Sequence, residues 1–346
     1  MRIFSFALAT TGGLLPTVAS AHEVYVLPPD VVRTAVATPS FSEIQVALSN
    51  INLFVFWAFI AVLVIFIVFF VSISRTLESW LDPWLAKLPP YAPAISRVTI
   101  GLSLLAASYN AALFGPELPL SGTFGPYATL VALILAICGC LLVIGMYTRV
   151  AALAGLILFV IEAAQHGSYL LTYTNYLGEL LILLVLGAHT VAVHHRGYDA
   201  RRLPRALLRL KEQLMPCTFA FLRVAFGISL IYASLYAKVI HNNLALDVTV
   251  AYPSLVAFFG FEPHFLVLGA AIIELLIGTF FILGIEIRFT ALFVLFWLSL
   301  SLSYFGEAVW PHIVLIGIPV AFIFYGYDKY SLEGRFFKRR GREPVL

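Results

Sequence analysis

The sequence predicts an all-α polytopic membrane protein: two parallel four-helix repeats preceded by one extra transmembrane helix. Three observations carry this. The first is composition. Of the 346 residues, 61% are hydrophobic and 11% charged, where ordinary soluble domains carry roughly a quarter charged, and the mean hydropathy is +0.97. Too little polar surface exists to cover a soluble core, which also excludes a disordered chain and a nucleic-acid binder. The second is a series of apolar runs near the length of about 20 residues that spans a bilayer. The third is a glycine and arginine pattern that recurs along the chain.

The elements follow in order. Residues 1–21 read as a signal peptide, with Arg2 before the apolar stretch Ile3 to Leu15 and small residues at Ala19-Ser20-Ala21. Gly12, Gly13 and Pro16 break the run, which favours cleavage after Ala21 over an uncleaved first helix. Cleavage exposes His22 at the head of a periplasmic segment, 22–48, that holds Pro28-Pro29 and Pro39. The extra transmembrane helix is placed at 49–73. Further spans fall at 95–114, 127–147, 149–165 and 174–194, making a first repeat over 95–195. Spans at 218–239, 265–285, 288–305 and 311–327 make a second over 218–330. Lipid offers no partner for backbone amides, so each span is helical.

Charge placement gives these spans a direction. The loops on one side hold Arg75, Lys87, Arg149, Arg288 and the cluster Arg196, Arg201, Arg202, Arg205, Arg209 and Lys211. The tail 331–346 adds Arg335, Lys338, Arg339, Arg340 and Arg342, whereas the opposite side carries chiefly Arg33 and Lys238. The positive-inside rule then places the carboxyl terminus in the cytoplasm of a bacterium, with the mature amino terminus across the inner membrane. The basic linker 196–217 is either an amphipathic helix drawn to anionic lipid or an ordinary connecting loop. Neither a CxxC pair nor a nucleotide-binding glycine loop is present, and Cys138, Cys140 and Cys217 lie in or beside apolar runs.

The repeat rests on matched spacing. Arg97-x-x-x-Gly101 corresponds to Arg223-x-x-x-Gly227. The run from Gly139 through Gly145 to Arg149 has the spacing of Gly278 through Gly284 to Arg288. Small residues let helices approach closely in lipid, where packing replaces the hydrophobic drive. Arg149 and Arg288 sit where one span turns into the next and are expected to anchor tight turns.

With Lys238 at a span end and Glu274-x-x-x-Gly278 in the next span, the second half resembles the DoxX-like integral membrane proteins. The first half resembles a degenerate copy, in which Leu135 stands for Glu274 and Ala112 for Lys238. The resemblance implies a four-helix membrane bundle linked to quinone or quinol redox systems and a redox protein partner.

Ionisable residues inside a membrane are costly and mark candidate sites. Glu274 lies about nine residues into its span, roughly 13 Å deep at the helical rise. With Lys238 it forms the candidate catalytic pair; Glu274 is either a proton acceptor or head-group contact, or half of a structural ion pair. Glu162 and His166 stand at i and i+4 and share a face. With Glu179, Arg223 and His312 they are candidate cofactor-binding residues, and Tyr109 and Asn110 would extend the cluster around Glu162. His22, His241 and His264 fall on the outer side and are candidate ligands for copper or zinc, or simply interfacial histidines. Trp80, Trp84, Trp310, Tyr176, Tyr236, Tyr252 and Tyr304 read as interfacial belt anchors.

Three functions remain open at this point: a quinone-linked redox accessory subunit, a transporter or periplasm-facing metal-handling protein, and a non-catalytic scaffold. No residue pattern decides whether the protein is an enzyme.

Overall fold

The computed structural model describes residues 26–188, 212–306 and 309–337. The expected signal peptide, His22, most of the basic linker and the end of the tail lie outside the described residues. Among the described residues, every regular element is helical, and six helical stretches are long and apolar enough to cross a membrane. The chain is thus an all-α, multi-pass membrane protein.

Two short helices, α1 (Pro29–Ala37) and α2 (Glu43–Asn50), precede the long helix α3 (Phe54–Leu85). The next group is α4 (Ala92–Tyr109), the short α5 (Leu120–Phe124), α6 (Ala128–Ile144), α7 (Thr148–His166) and α8 (Thr174–Leu186). The last group is α9 (Thr218–Leu235), α10 (Asn243–Ala251), α11 (Pro253–Phe259), α12 (Pro263–Leu283), α13 (Ile287–Phe305) and α14 (Pro311–Tyr325). Each of the nine expected spans is a helix, with shifted ends. The helix expected over 49–73 starts at Phe54 and continues to Leu85, past the apolar run into a tryptophan-bearing turn. The span expected over 95–114 ends at Tyr109, because residues 110–119 fold back as a turn closed by an Ala112–Pro119 bridge.

The turns that join α6 to α7 and α12 to α13 are alike. Gly145 (φ +81°) and Gly284 (φ +70°) end their helices in the left-handed conformation that glycine adopts without steric cost. Two residues later, Tyr147 (φ 46°) and Glu286 (φ 44°) repeat that conformation with side chains present. The expectation that Arg149 and Arg288 anchor these turns is refined. Arg149 Nε donates to the Leu184 carbonyl at 3.1 Å and Nη2 to Leu186 at 3.2 Å, while Arg288 Nε donates to Ile323 at 3.0 Å. Each arginine therefore also caps carbonyls at the end of a different helix, α8 or α14, where cations meet the negative end of the helix dipole.

Packing is closest where glycines remove side chains. A Cβ on Gly139 would lie 2.8 Å from the Gly101 carbonyl oxygen, and one on Gly227 would lie 2.6 Å from that of Gly278. These contacts seat α4 on α6 and α9 on α12. Two further contacts cross between the groups. Gly178 of α8 packs against Ala225 and Leu222 of α9, and Gly317 of α14 packs against Thr99 of α4. The four helices α4, α8, α9 and α14 thereby form one interior, and Phe226, Phe281, Phe322, Leu104, Leu183 and Val314 are buried in a single core. Helix α3 lies outside it, touching α12 and α13 through Phe59–Phe265, Phe66–Phe293 and Phe70–Phe289.

The bundle has two distinct ends. Arg97, Arg149, Arg223 and Arg288 lie toward one, the arginine end. Glu117, His166 and Lys238 lie toward the other. Asp328 and Glu333 close the arginine end: Arg223 Nε pairs with Asp328 at 2.9 Å, and the Ile287 amide donates to Glu333 at 2.8 Å.

Candidate functional site

Lys238 and Glu274 meet. Their Nζ and Oε2 atoms are 2.9 Å apart, with Lys238 nearly buried and Glu274 a quarter exposed. The local backbone explains the reach. After Leu235 helix α9 widens into a π-helical turn, Tyr236–Ile240, which carries Lys238 toward α12. Such turns recur at functional sites. Glu274 lies one turn before Gly278, on the face that Gly278 holds against α9, so the close glycine contact sets the distance of the charges.

An apolar groove of about 240 Å³ lies between α3 and another face of α12, and neither Lys238 nor Glu274 lines it. Phe59, Phe66 and Phe70 of α3 form one wall, and Ile273, Ile277 and Phe280 of α12 form another. Ile273, Leu276, Ile277 and Phe280 turn toward the groove, whereas Glu274 turns toward α9.

In the other group, His166 Nε2 lies 3.2 Å from Glu162 Oε2, and the Thr123 hydroxyl donates to the same oxygen at 3.0 Å. Glu162 is fully buried while His166 is partly exposed. Glu179 is fully enclosed on α8, its nearest polar neighbours being the Ser96 and Thr99 hydroxyls of α4. Tyr109 and Asn110 do not extend the cluster: Tyr109 is exposed, and Asn110 donates back to Ala106 of its own helix. Tyr176, expected at the interface, is fully buried and bonds Ser103 at 2.7 Å, and Trp310 is buried too. Trp80 and Trp84 are exposed, as belt anchors are.

Two acidic residues escaped the sequence reading. Glu117, in the turn after α4, accepts from Tyr169 at 2.8 Å and from Tyr173. Burial pushes its carboxyl above the ordinary range, against the pull of those hydroxyls and of nearby His166. Asp328, the partner of Arg223, stands beyond the last apolar run. Neither has a sequence neighbour that would signal its role.

Arg223 is at the arginine end, bonded to Asp328 and to the Phe281 and Ile282 carbonyls, far along α9 from Lys238. His312 is buried in the first turn of α14. The outer histidines are dispersed. His241 meets Tyr236 edge-on, while His264 pairs with Glu262 at 2.7 Å and meets the edge of Phe41. Among the described residues, no group of three or more His, Cys, Asp or Glu side chains could hold a metal ion. Next to the Lys238 turn, Asn242 grips the segment before α2 by donating to the Phe41 carbonyl at 2.7 Å and accepting from the Phe41 amide at 3.1 Å.

Compared with protein-family models, with curated proteins and with solved structures, the chain matches none. The functional reading therefore rests on the chemistry of these side chains.

Proposed function

We propose that the protein is a DoxX-like inner-membrane subunit that binds quinone or quinol and works with a redox partner. The observation that carries this reading is the Lys238–Glu274 pair, whose carboxylate is on α12, a helix whose neighbouring face lines an apolar groove. The donor set fits a quinoid head group, with an ammonium for a carbonyl oxygen and a carboxylate for a hydroxyl. The groove walls of Phe and Ile suit an isoprenoid tail. A bound quinol supplies two electrons and two protons. Glu274 receives a proton from a hydroxyl beside it, Lys238 orients the head group and balances the carboxylate's charge, and α3 keeps the tail side dry. Oxidation of a bound quinol would pass both electrons to the partner protein and its second proton to water.

The same proposal includes two parallel four-helix repeats, α4–α8 without α5 and α9–α14 without α10 and α11. The paired turns at Gly145 and Gly284 and the paired contacts Gly178–Ala225 and Gly317–Thr99 support it. It also places the arginine end in the cytoplasm of a bacterium, where the basic linker 196–217 meets anionic lipid.

Native mass spectrometry of gently extracted protein tests the reading. A retained quinone-sized mass that is lost in Glu274→Gln is the expected result. Retention of the same mass in that variant would overturn it, as would a bound metal ion with no quinone.

A further inference from the structure

A polar seam runs through the interior between α4 and α8. On α4, Ser96, Thr99 and Ser103 recur at helical spacing and share a face. Facing them, Tyr173, Tyr176 and Glu179 recur every three residues. Ser96, Ser103, Tyr176 and Glu179 are all fully buried. The seam opens away from the arginine end at Glu117, which is half-buried and accepts from Tyr173. The Tyr173 and Tyr176 rings are neighbours, with centroids 6.1 Å apart, and Tyr176 bonds Ser103. At the far end neither Glu179 oxygen has a well-aligned hydrogen-bond partner, and neither does the Ser96 hydroxyl.

A fully buried carboxyl whose nearest polar neighbours are two poorly aligned hydroxyls, Ser96 and Thr99, is expensive, so a fold rarely keeps one for stability alone. At the positions with matching spacing from Arg223 and Arg288, Leu222 stands for Ser96, Ala225 for Thr99 and Ile318 for Glu179, while Ser229 stands for Ser103 and His312 for Tyr173. The other group of helices thus does without a carboxyl at the matching position.

We propose that this seam is a proton half-channel that opens at Glu117 and ends on Glu179. Protons enter from water at the mouth, where His166 and Glu162 flank Glu117. Each hydroxyl accepts a proton on oxygen as it passes its own inward, so Tyr173, Tyr176 and Ser103 are unchanged after one transfer. Glu179 gains the proton as its carboxylate becomes the acid, and returns it by the same route. The ionisable groups facing the path are Glu117, Glu162, His166, Tyr169, Tyr173 and Tyr176, with Arg97 beside Ser96 at the closed end. The proposal does not depend on quinone binding.

Infrared spectroscopy of the reconstituted full chain reads it directly. The wild type is expected to show a carboxylic-acid carbonyl band that is absent in Glu179→Gln and displaced in Glu179→Asp, but untouched in Glu274→Gln. In D2O the band shifts as the acid exchanges, and Tyr176→Phe slows that exchange about tenfold. No Glu179-dependent acid band across the neutral pH range overturns the proposal. So does an exchange rate that Tyr176→Phe leaves unchanged, a result obtainable even where Glu179→Gln does not fold.

Discussion

The two halves of the bundle carry their buried charge at different interfaces. Over residues 92–186 the polar groups lie inside, between α4 and α8, and the position that matches Glu274 is Leu135, fully packed in the core. Over 218–325 the Lys238–Glu274 pair sits between α9 and α12, with Glu274 partly open to its surroundings, and the enclosed polar groups include Ser229 and His312 but no carboxyl at the position that matches Glu179. A carboxyl enclosed on all sides is insulated from anything except a proton, whereas a partly open carboxylate can meet a larger molecule.

The largest effect is expected at the arginine end. Arg223→Met leaves Asp328 buried without its cation and removes donors from two carbonyls of α12. It should cost about 3–5 kcal/mol, read as a fall in the melting temperature of the purified protein. Next, Lys238→Ala strands Glu274 and should cost about 3 kcal/mol. The double variant Lys238→Ala/Glu274→Leu copies the first half's Ala112 and Leu135. It should regain most of that loss while losing retained quinone. A double variant no more stable than the single would break the comparison, since the second half would then need its charges to fold.

A smaller effect sharpens the packing. Gly227→Ala places a methyl 2.6 Å from a backbone carbonyl oxygen, whereas Gly101→Ala meets Gly139 at 3.0 Å. The first should cost about 2–3 kcal/mol and the second about 1 kcal/mol, as overpacking does. The smallest effect is a pH slope. The Glu117 carboxyl is held above its ordinary range in the folded chain, so the folded state binds its proton more tightly than the unfolded state does. Its cost is absent below the unfolded value, grows as pH rises toward the folded value, and is complete above it. Melting temperature should therefore fall less steeply over that window in Glu117→Gln than in the wild type.

Much of this was legible from residues alone. Among the described residues, each of the nine apolar runs is a helix, since lipid leaves the backbone no alternative. The rule that i and i+4 share a helix face paired Glu162 with His166. Being adjacent in order and near in depth paired Lys238 with Glu274. Other features had no local signature. Gly178 and Gly317 announce a close neighbour but not which one, and both choose a helix from the other half. Tyr176 was read as an interfacial anchor because a tyrosine near a span's end looks the same whether it faces lipid or the core. Glu117 and Asp328 lie outside the apolar runs, where an acidic residue ordinarily meets water, and only the folded turns enclose them.

The exchange of partners between the halves bears on biogenesis. Helix α4 enters the membrane early, yet the glycine that fits against its Thr99 is Gly317, in the last of the long helices to be synthesised. Until α14 arrives, Thr99 lacks the glycine that closes over it, although α8 already meets the same face of α4, and α8 must likewise wait for α9. Assembly therefore cannot finish one half at a time. A ribosome stalled before α14 would leave a chain with all but one of its long helices inserted and an unsealed face for quality-control proteases to find.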